Sequence, residues 1–210
     1  MSPESPPRPK RPAKPSPASE VGGKRARTRA ALIEAAARLI GEKGYHNTTL
    51  EDVAAVAGMT RGAIYGNFKD RDELFMAVLE ARWKPIVPEF KTGATLKEQM
   101  RILADAVIAA VPARQAVAIR ALEFQLYALT HPQMQARLAR YSAEAYTIAE
   151  RELLKFVPAE ALPMPAGRFV RVLHALIDGL LFERFQSPGE MTDEVIRGAL
   201  DAIAGAARKP

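Results

Sequence analysis

The 210-residue chain contains no cysteine. That excludes disulfides, thiolate metal sites and thiol redox sensing. Its three histidines, His46, His131 and His174, fall in separate segments. His174 and Asp178 are four apart, but a metal would need two further ligands and none is evident. No glycine-rich phosphate loop and no nucleophile elbow is present, so no catalytic site, no metal site and no cofactor is expected. No apolar run reaches the ~18 residues of a membrane-spanning helix, and the first residues lack the apolar stretch of a secretion signal. The expectation is a soluble, cytoplasmic protein without a membrane partner. Strand-type alternation and internal repeats are also missing, which points to an all-α fold.

Hydrophobic residues make up 48% of the chain, enough for a substantial core. Net charge is +6, from 30 basic and 24 acidic residues, and the excess is unevenly placed. Residues 24–71 hold nine Lys/Arg against five Asp/Glu, while residues 85–210 hold fifteen against fourteen. A basic N-terminal part on a near-neutral remainder suggests a polyanion at one end. Residues 1–23 are rich in Pro, Ser, Lys and Arg and too poor in apolar groups to offset ordering entropy, so they read as a disordered basic arm. Lys10, Arg11, Lys14, Lys24, Arg25, Arg27 and Arg29 follow one another along it. Arg25, Arg27 and Arg29 abut the first helix and are placed at that polyanion.

One absence is local. Between Thr60 and Lys69 there is no acidic residue. Thr48 is read as the N-cap of a short helix, with Glu51 at capping-box spacing. Leu50, Val53, Ala54 and Ala57 share one face, and Gly58 supplies the left-handed turn. Thr60 caps a second helix anchored by Ile64 and Phe68. Two short helices on a tight turn form a helix-turn-helix, whose second helix enters the DNA major groove. Candidate DNA contacts are Arg27, Arg29, Thr48, Thr49, Thr60, Arg61, Gly62, Ala63, Tyr65, Asn67 and Lys69. Arg61 suits a guanine edge or a phosphate, and Tyr65 and Lys69 suit phosphate oxygens. His46, in the loop before this motif, is a possible phosphate contact, and His131 reads as a solvated turn residue.

Elsewhere the pattern is helical. A first helix is expected from about Thr28 to Lys43, and a fourth from Asp70, with Glu73 closing a capping box, to Trp83. Further helices are expected from Thr95, over 113–129, from Pro132 to Val157, over 168–186, and from Thr192. The chain therefore divides into an arm (1–23), a helix-turn-helix domain (24–84) and a helical domain (85–210). The 168–186 helix is apolar on most sides, so it should be buried on more than one.

The run from Arg29 to Phe75 resembles the DNA-binding domain of the tetracycline-repressor (TetR) family of bacterial transcriptional regulators. It does so through Ala30-Ala-Leu-Ile-Glu-Ala-Ala-Ala-Arg-Leu-Ile-Gly-Glu-Lys-Gly-Tyr45, Thr48-Thr-Leu-Glu-Asp-Val-Ala, Ala57-Gly-Met-Thr-Arg-Gly-Ala-Ile-Tyr-Gly-Asn-Phe-Lys and Asp70-Arg-Asp-Glu-Leu-Phe. Gly66 and Asn67 stand where many members carry an aromatic residue or histidine. The resemblance implies a homodimer whose last two helices bundle with the partner's, a pseudo-palindromic DNA operator, and a small-molecule effector in the second domain. It makes a dimeric, ligand-released repressor the leading reading. Alternatives are a constitutive DNA-binding protein without an effector, or a small helical enzyme or carrier. Expected effector contacts are Phe124, Tyr127, Tyr141, Tyr146, His174 and Asp178, around an apolar or aromatic molecule. Expected dimer contacts are Phe169, Leu173, Leu176, Leu180, Ile196 and Leu200. Trp83 and the prolines after it are expected to act as the lever between domains.

Overall fold

The structure is a computed structural model that describes residues 17–82 and 85–205, with side chains from residue 23 onward. Trp83 and residues 1–16, including Lys10, Arg11 and Lys14, lie outside the described residues. Among the described residues there are nine α-helices and no strand: α1 Pro17–Lys43, α2 Leu50–Val56, α3 Arg61–Tyr65, α4 Arg71–Arg82, α5 Leu96–Gln115, α6 Ala118–Thr130, α7 Pro132–Leu154, α8 Ala166–Gln186 and α9 Asp193–Gly205. The chain is all-α.

Two boundaries differ from expectation. The first helix begins at Pro17, so residues 17–23 are helical and not part of a disordered arm. Proline suits a helix first turn, and extending an established helix is far cheaper than nucleating one. α5 runs through Pro112 to Gln115, which moves the start of the next helix from about 113 to Ala118. The missing proline N–H removes one bond, while the Pro112 carbonyl still accepts from the Ala116 N–H at 3.2 Å.

Two apolar cores organise the chain. The first joins α1–α4 through Leu32, Val53, Ile64, Phe68 and Phe75, and it takes in Phe124, Tyr127 and Ala128 of α6 and Met134 of α7. The second joins α5, the end of α7, α8 and α9 through Met100, Val107, Leu153, Phe169 and Leu200. α4 packs on α1 on one side and α7 on the other, so Leu74 to Val78 are all buried in succession. α5 lies along α9, and α6 and α7 form an antiparallel hairpin.

Candidate nucleic-acid interface and effector cavity

The helix-turn-helix is built by local chemistry. Thr49 caps α2: its Oγ1 accepts from the Asp52 N–H at 3.1 Å, and Asp52 Oδ2 accepts from the Thr49 N–H at 3.3 Å. The capping box is thus Thr49–Asp52, one residue beyond the expected Thr48–Glu51. Lys43 donates to Asp52 Oδ2 and ties α1 to the box. At the other end Gly58 takes φ +66°. The Met59 N–H reaches the Ala54 carbonyl at 2.8 Å and the Gly58 N–H reaches Ala55 at 3.0 Å, a Schellman closure that needs the left-handed residue. Thr60 Oγ1 then accepts from the Ala63 N–H at 3.2 Å and opens α3. Buried Ile64 and Phe68 clamp α3 to the core.

On the outward face, Thr49, Thr60, Arg61, Gly62, Tyr65 and Lys69 are exposed and Ala63 is half-buried. Arg61 Nη2 lies 3.4 Å from Glu51 Oε1, and the Tyr65 hydroxyl donates to the same oxygen at 2.9 Å. The Arg61 guanidinium also sits 5.4 Å from the Tyr65 ring centroid. The Tyr65 hydrogen bond, more than the Arg61 charge, holds the Glu51 carboxyl below its ordinary value. Glu51 thus fixes both long side chains of α3, a role the sequence signalled only as capping.

Four expected DNA contacts point elsewhere. Thr48 is fully buried, and its hydroxyl donates to the Gly44 carbonyl at 2.8 Å. The Asn67 amide folds back to donate to the Ala63 carbonyl at 2.8 Å, leaving Oδ1 buried without a partner. Arg29 Nη1 donates to the Asn67 carbonyl at 2.9 Å with its guanidinium 4.2 Å from the Phe68 ring centroid, and Arg25 donates to the Gly66 carbonyl at 3.3 Å. These arginines cap the C-terminal end of α3, where carbonyls and the helix dipole favour cations. Arg27 remains exposed.

The joint with the rest of the chain is polar. Asp70 receives a bidentate pair from Arg137 of α7, at 2.8 and 2.7 Å, while its Oδ1 accepts from the Glu73 N–H at 2.7 Å. Glu73 closes on the Lys69 N–H at 2.8 Å, not on Asp70 as expected. The Arg137 hydrogen bonds hold the Asp70 carboxyl below its usual range. The Tyr127 hydroxyl donates to Asp72 at 2.7 Å and accepts from Arg71 at 2.9 Å. Burial pushes its pKa up. Tyr127 is therefore a core residue at the joint, not a cavity contact. His131 is not a solvated turn residue either: its ring stacks on Tyr127 at 3.9 Å and Nδ1 lies 2.8 Å from the Tyr127 carbonyl. His46, though exposed, packs edge-on to Tyr127 at 5.5 Å.

A cavity of about 1060 Å³ opens between α1, α4, α6, α7 and α8 and reaches the end of α2 at Val56 and Ala57. Of the six expected effector contacts, Phe124, Tyr141, His174 and Asp178 line it; Tyr127 and Tyr146 do not. Tyr146 packs edge-on against His174 at 5.2 Å. His174 Nδ1 lies 3.3 Å from Asp178 Oδ2. Withdrawal from water pushes the Asp178 carboxyl up, against the pull of His174 and Arg114. Tyr45, on the α1 side, is pushed up to about 12 by burial and by Glu123. Among the described residues no group of three or more His, Cys, Asp or Glu could hold a metal, and no single helix is long and apolar enough to cross a membrane.

The expected dimer contacts are mostly consumed internally. Phe169, Leu173, Leu180, Ile196 and Leu200 are buried in the chain's own second core, and Leu176 is half-buried against it. Helical spacing gave the width of the apolar face and not which side the core would take. The exposed stripe of α8 is instead Val172, Ala175, Gly179 and Phe182, and that of α9 is Val195, Gly198 and Ala202.

Residues 32–78 match the family model described as bacterial regulatory proteins, tetR family. The chain is 25% identical over 199 residues to the HTH-type transcriptional regulator SrpR of Pseudomonas putida, spanning 92% of this chain and 91% of that protein. It is 30% identical over 98 residues to the uncharacterized HTH-type transcriptional regulator TtgW, also of Pseudomonas putida, spanning 47% of this chain and 73% of that one. The solved multidrug binding protein EbrR, complexed with proflavin, superposes with a TM-score of 0.57 at 20% identity, over 84% of this chain and 99% of that one.

Proposed function

From the premise that this chain belongs to the TetR family of bacterial regulatory proteins, a family of helix-turn-helix transcriptional regulators, we propose that it is a dimeric repressor that a small molecule releases from DNA. The observation that carries the DNA reading is the capped α2–turn–α3 unit with Arg61, Tyr65 and Lys69 exposed along a segment, Thr60 to Lys69, that has no acid of its own. Arg61 is assigned to a base edge, Lys69 and Thr49 to phosphates, and Arg27 to the flanking backbone. A cytoplasmic location follows from DNA as the partner.

The dimer is proposed to form through the exposed stripes of α8 and α9. Their small residues allow close helix approach, and Val172, Phe182 and Val195 supply apolar anchors. Two heads would then meet half-sites about one helical turn, ~34–36 Å, apart. The cavity between α1 and α6–α8 is the proposed effector site. EbrR's complex with proflavin supports the idea that this architecture holds a small molecule. Because α4 carries Asp70–Arg137 and Asp72–Tyr127 at its start and lines the cavity with Val78, Leu79 and Arg82, a ligand there would reset α4 and the spacing of the heads. A coupling of ~1–3 kcal/mol suffices to change operator affinity 5- to 150-fold. Recovery of bound fragments from sheared bacterial DNA, then a search for compounds that release them, tests this. Specific binding that no cavity ligand releases would leave a constitutive DNA-binding protein.

A further inference from the structure

We propose that the cavity takes an acidic amphiphile, an aromatic or aliphatic body bearing one carboxylate, sulfonate or similar anion, seated on Arg38 of α1. The cavity's surface is mostly apolar, with Ala31, Val78, Leu79, Phe124, Leu138 and Tyr141 among its walls. Its charged groups are Glu34, Arg38, Arg82, Arg120 and Asp178, with His174 beside Asp178. Most of these are already matched. Arg82 pairs with Glu34. Arg120 pairs with Glu123 at 2.6 Å and donates to the Gly41 carbonyl at 2.9 Å. Asp178 faces His174 at 3.3 Å and is further attracted by Arg114. Arg38 forms no ion pair or hydrogen bond with any described residue. Both carboxylates in the wall therefore have basic partners, while one guanidinium is left over, beside apolar surface. A cationic ligand would have to break an existing pair; an anion would complete one. Guanidinium also suits planar oxyanions, which it can meet with two parallel N–H donors.

The location deepens the effector reading, on which it rests. Arg38 belongs to the helix that holds the recognition helix in place: Arg29 and Arg25 of α1 bind the Asn67 and Gly66 carbonyls. Nine residues separate Arg38 from Arg29, ~13.5 Å along a helix. A ligand anion on Arg38 thus acts on the DNA-reading helix through α1 itself, without passing through the second core.

The test uses two probes with one skeleton, 8-anilinonaphthalene-1-sulfonate and neutral N-phenyl-1-naphthylamine, with cationic proflavin as the third arm. Each is titrated by fluorescence into the wild-type protein, Arg38→Ala and Arg38→Lys. Arg38 is exposed, so its truncation leaves the core intact. The sulfonate should bind wild type about tenfold or more tighter than the neutral probe, as a charge-assisted hydrogen bond implies. Arg38→Ala should erase that preference while leaving neutral binding unchanged, and Arg38→Lys should keep part of it. Equal binding of the two naphthyl probes to wild type, an unchanged ratio in Arg38→Ala, tightest binding of proflavin, or no binding at all overturns the assignment. Release of bound DNA is scored separately. Arg38-dependent sulfonate binding without release would refute the effector role but not the ligand class; release by the neutral or cationic probe alone would do the reverse.

Discussion

Removing the charge pair between Asp70 and Arg137 should loosen the reading head from the rest of the chain. The pair is bidentate, with side chains 42% and 27% exposed. Charged hydrogen bonds contribute roughly 1.5–3 kcal/mol when shielded, and exposed ion pairs ~0.2–1 kcal/mol. Half-exposure places this one near ~1 kcal/mol. Asp70 also caps α4 through the Glu73 N–H, so Asp70→Ala would confound two effects. Asp70→Asn keeps a good cap and removes only the charge. With Arg137→Met it makes a double-mutant cycle, read by urea unfolding at pH 7, and the coupling energy should be ~0.5–1.5 kcal/mol. The pH dependence has a definite sign. Arg137 holds the Asp70 carboxyl below its ordinary value, so this stabilisation is fully present above the unfolded value, ~3.9, and is lost as pH falls through the lower folded one. The cycle repeated at pH ~3 should give a smaller coupling than at pH 7. A coupling within ~0.3 kcal/mol of zero at pH 7 would refute the pair as a structural joint.

Three further outcomes follow from the same geometry. In fluorescence-anisotropy titrations, Arg61→Ala should cost ~1–3 kcal/mol and relax preference at one position per half-site, whereas Lys69→Ala should weaken all sequences alike and reduce the salt slope by ~1. Glu51→Gln frees Arg61 and removes a negative charge beside the phosphates; binding to random DNA should tighten severalfold and the ratio of specific to non-specific affinity should fall. Phe182→Glu, on the exposed stripe, should yield a folded monomer by sedimentation, while Leu180→Glu, in the core, should unfold the chain.

Much of the reading head was legible because its determinants are local. Gly58, Thr60, Ile64 and Phe68 act within a few residues of themselves, and each does in the structure what its spacing implied. The Thr48/Thr49 pair was ambiguous because adjacent threonines offer the same hydroxyl. Only the Gly44 carbonyl, which accepts the Thr48 hydroxyl's hydrogen bond, decides between them. Arg25 and Arg29 look like a DNA arm in sequence because nothing local reveals that α1 crosses the end of α3. Asp70–Arg137 spans 67 positions, and no pattern in one sequence joins such residues. The same limit explains α8. Its apolar residues were visible, but the side turned to the core depends on where α5 and α7 pack.

The central claim is sequence-specific DNA recognition by two copies of the α2–turn–α3 unit. Selection of bound duplexes from a random pool by the purified protein tests it most directly. A pseudo-palindrome should emerge, with half-sites about one helical turn apart and a position whose preference disappears in Arg61→Ala. Enrichment of no sequence, or of an identical sequence by Arg61→Ala, would contradict the account.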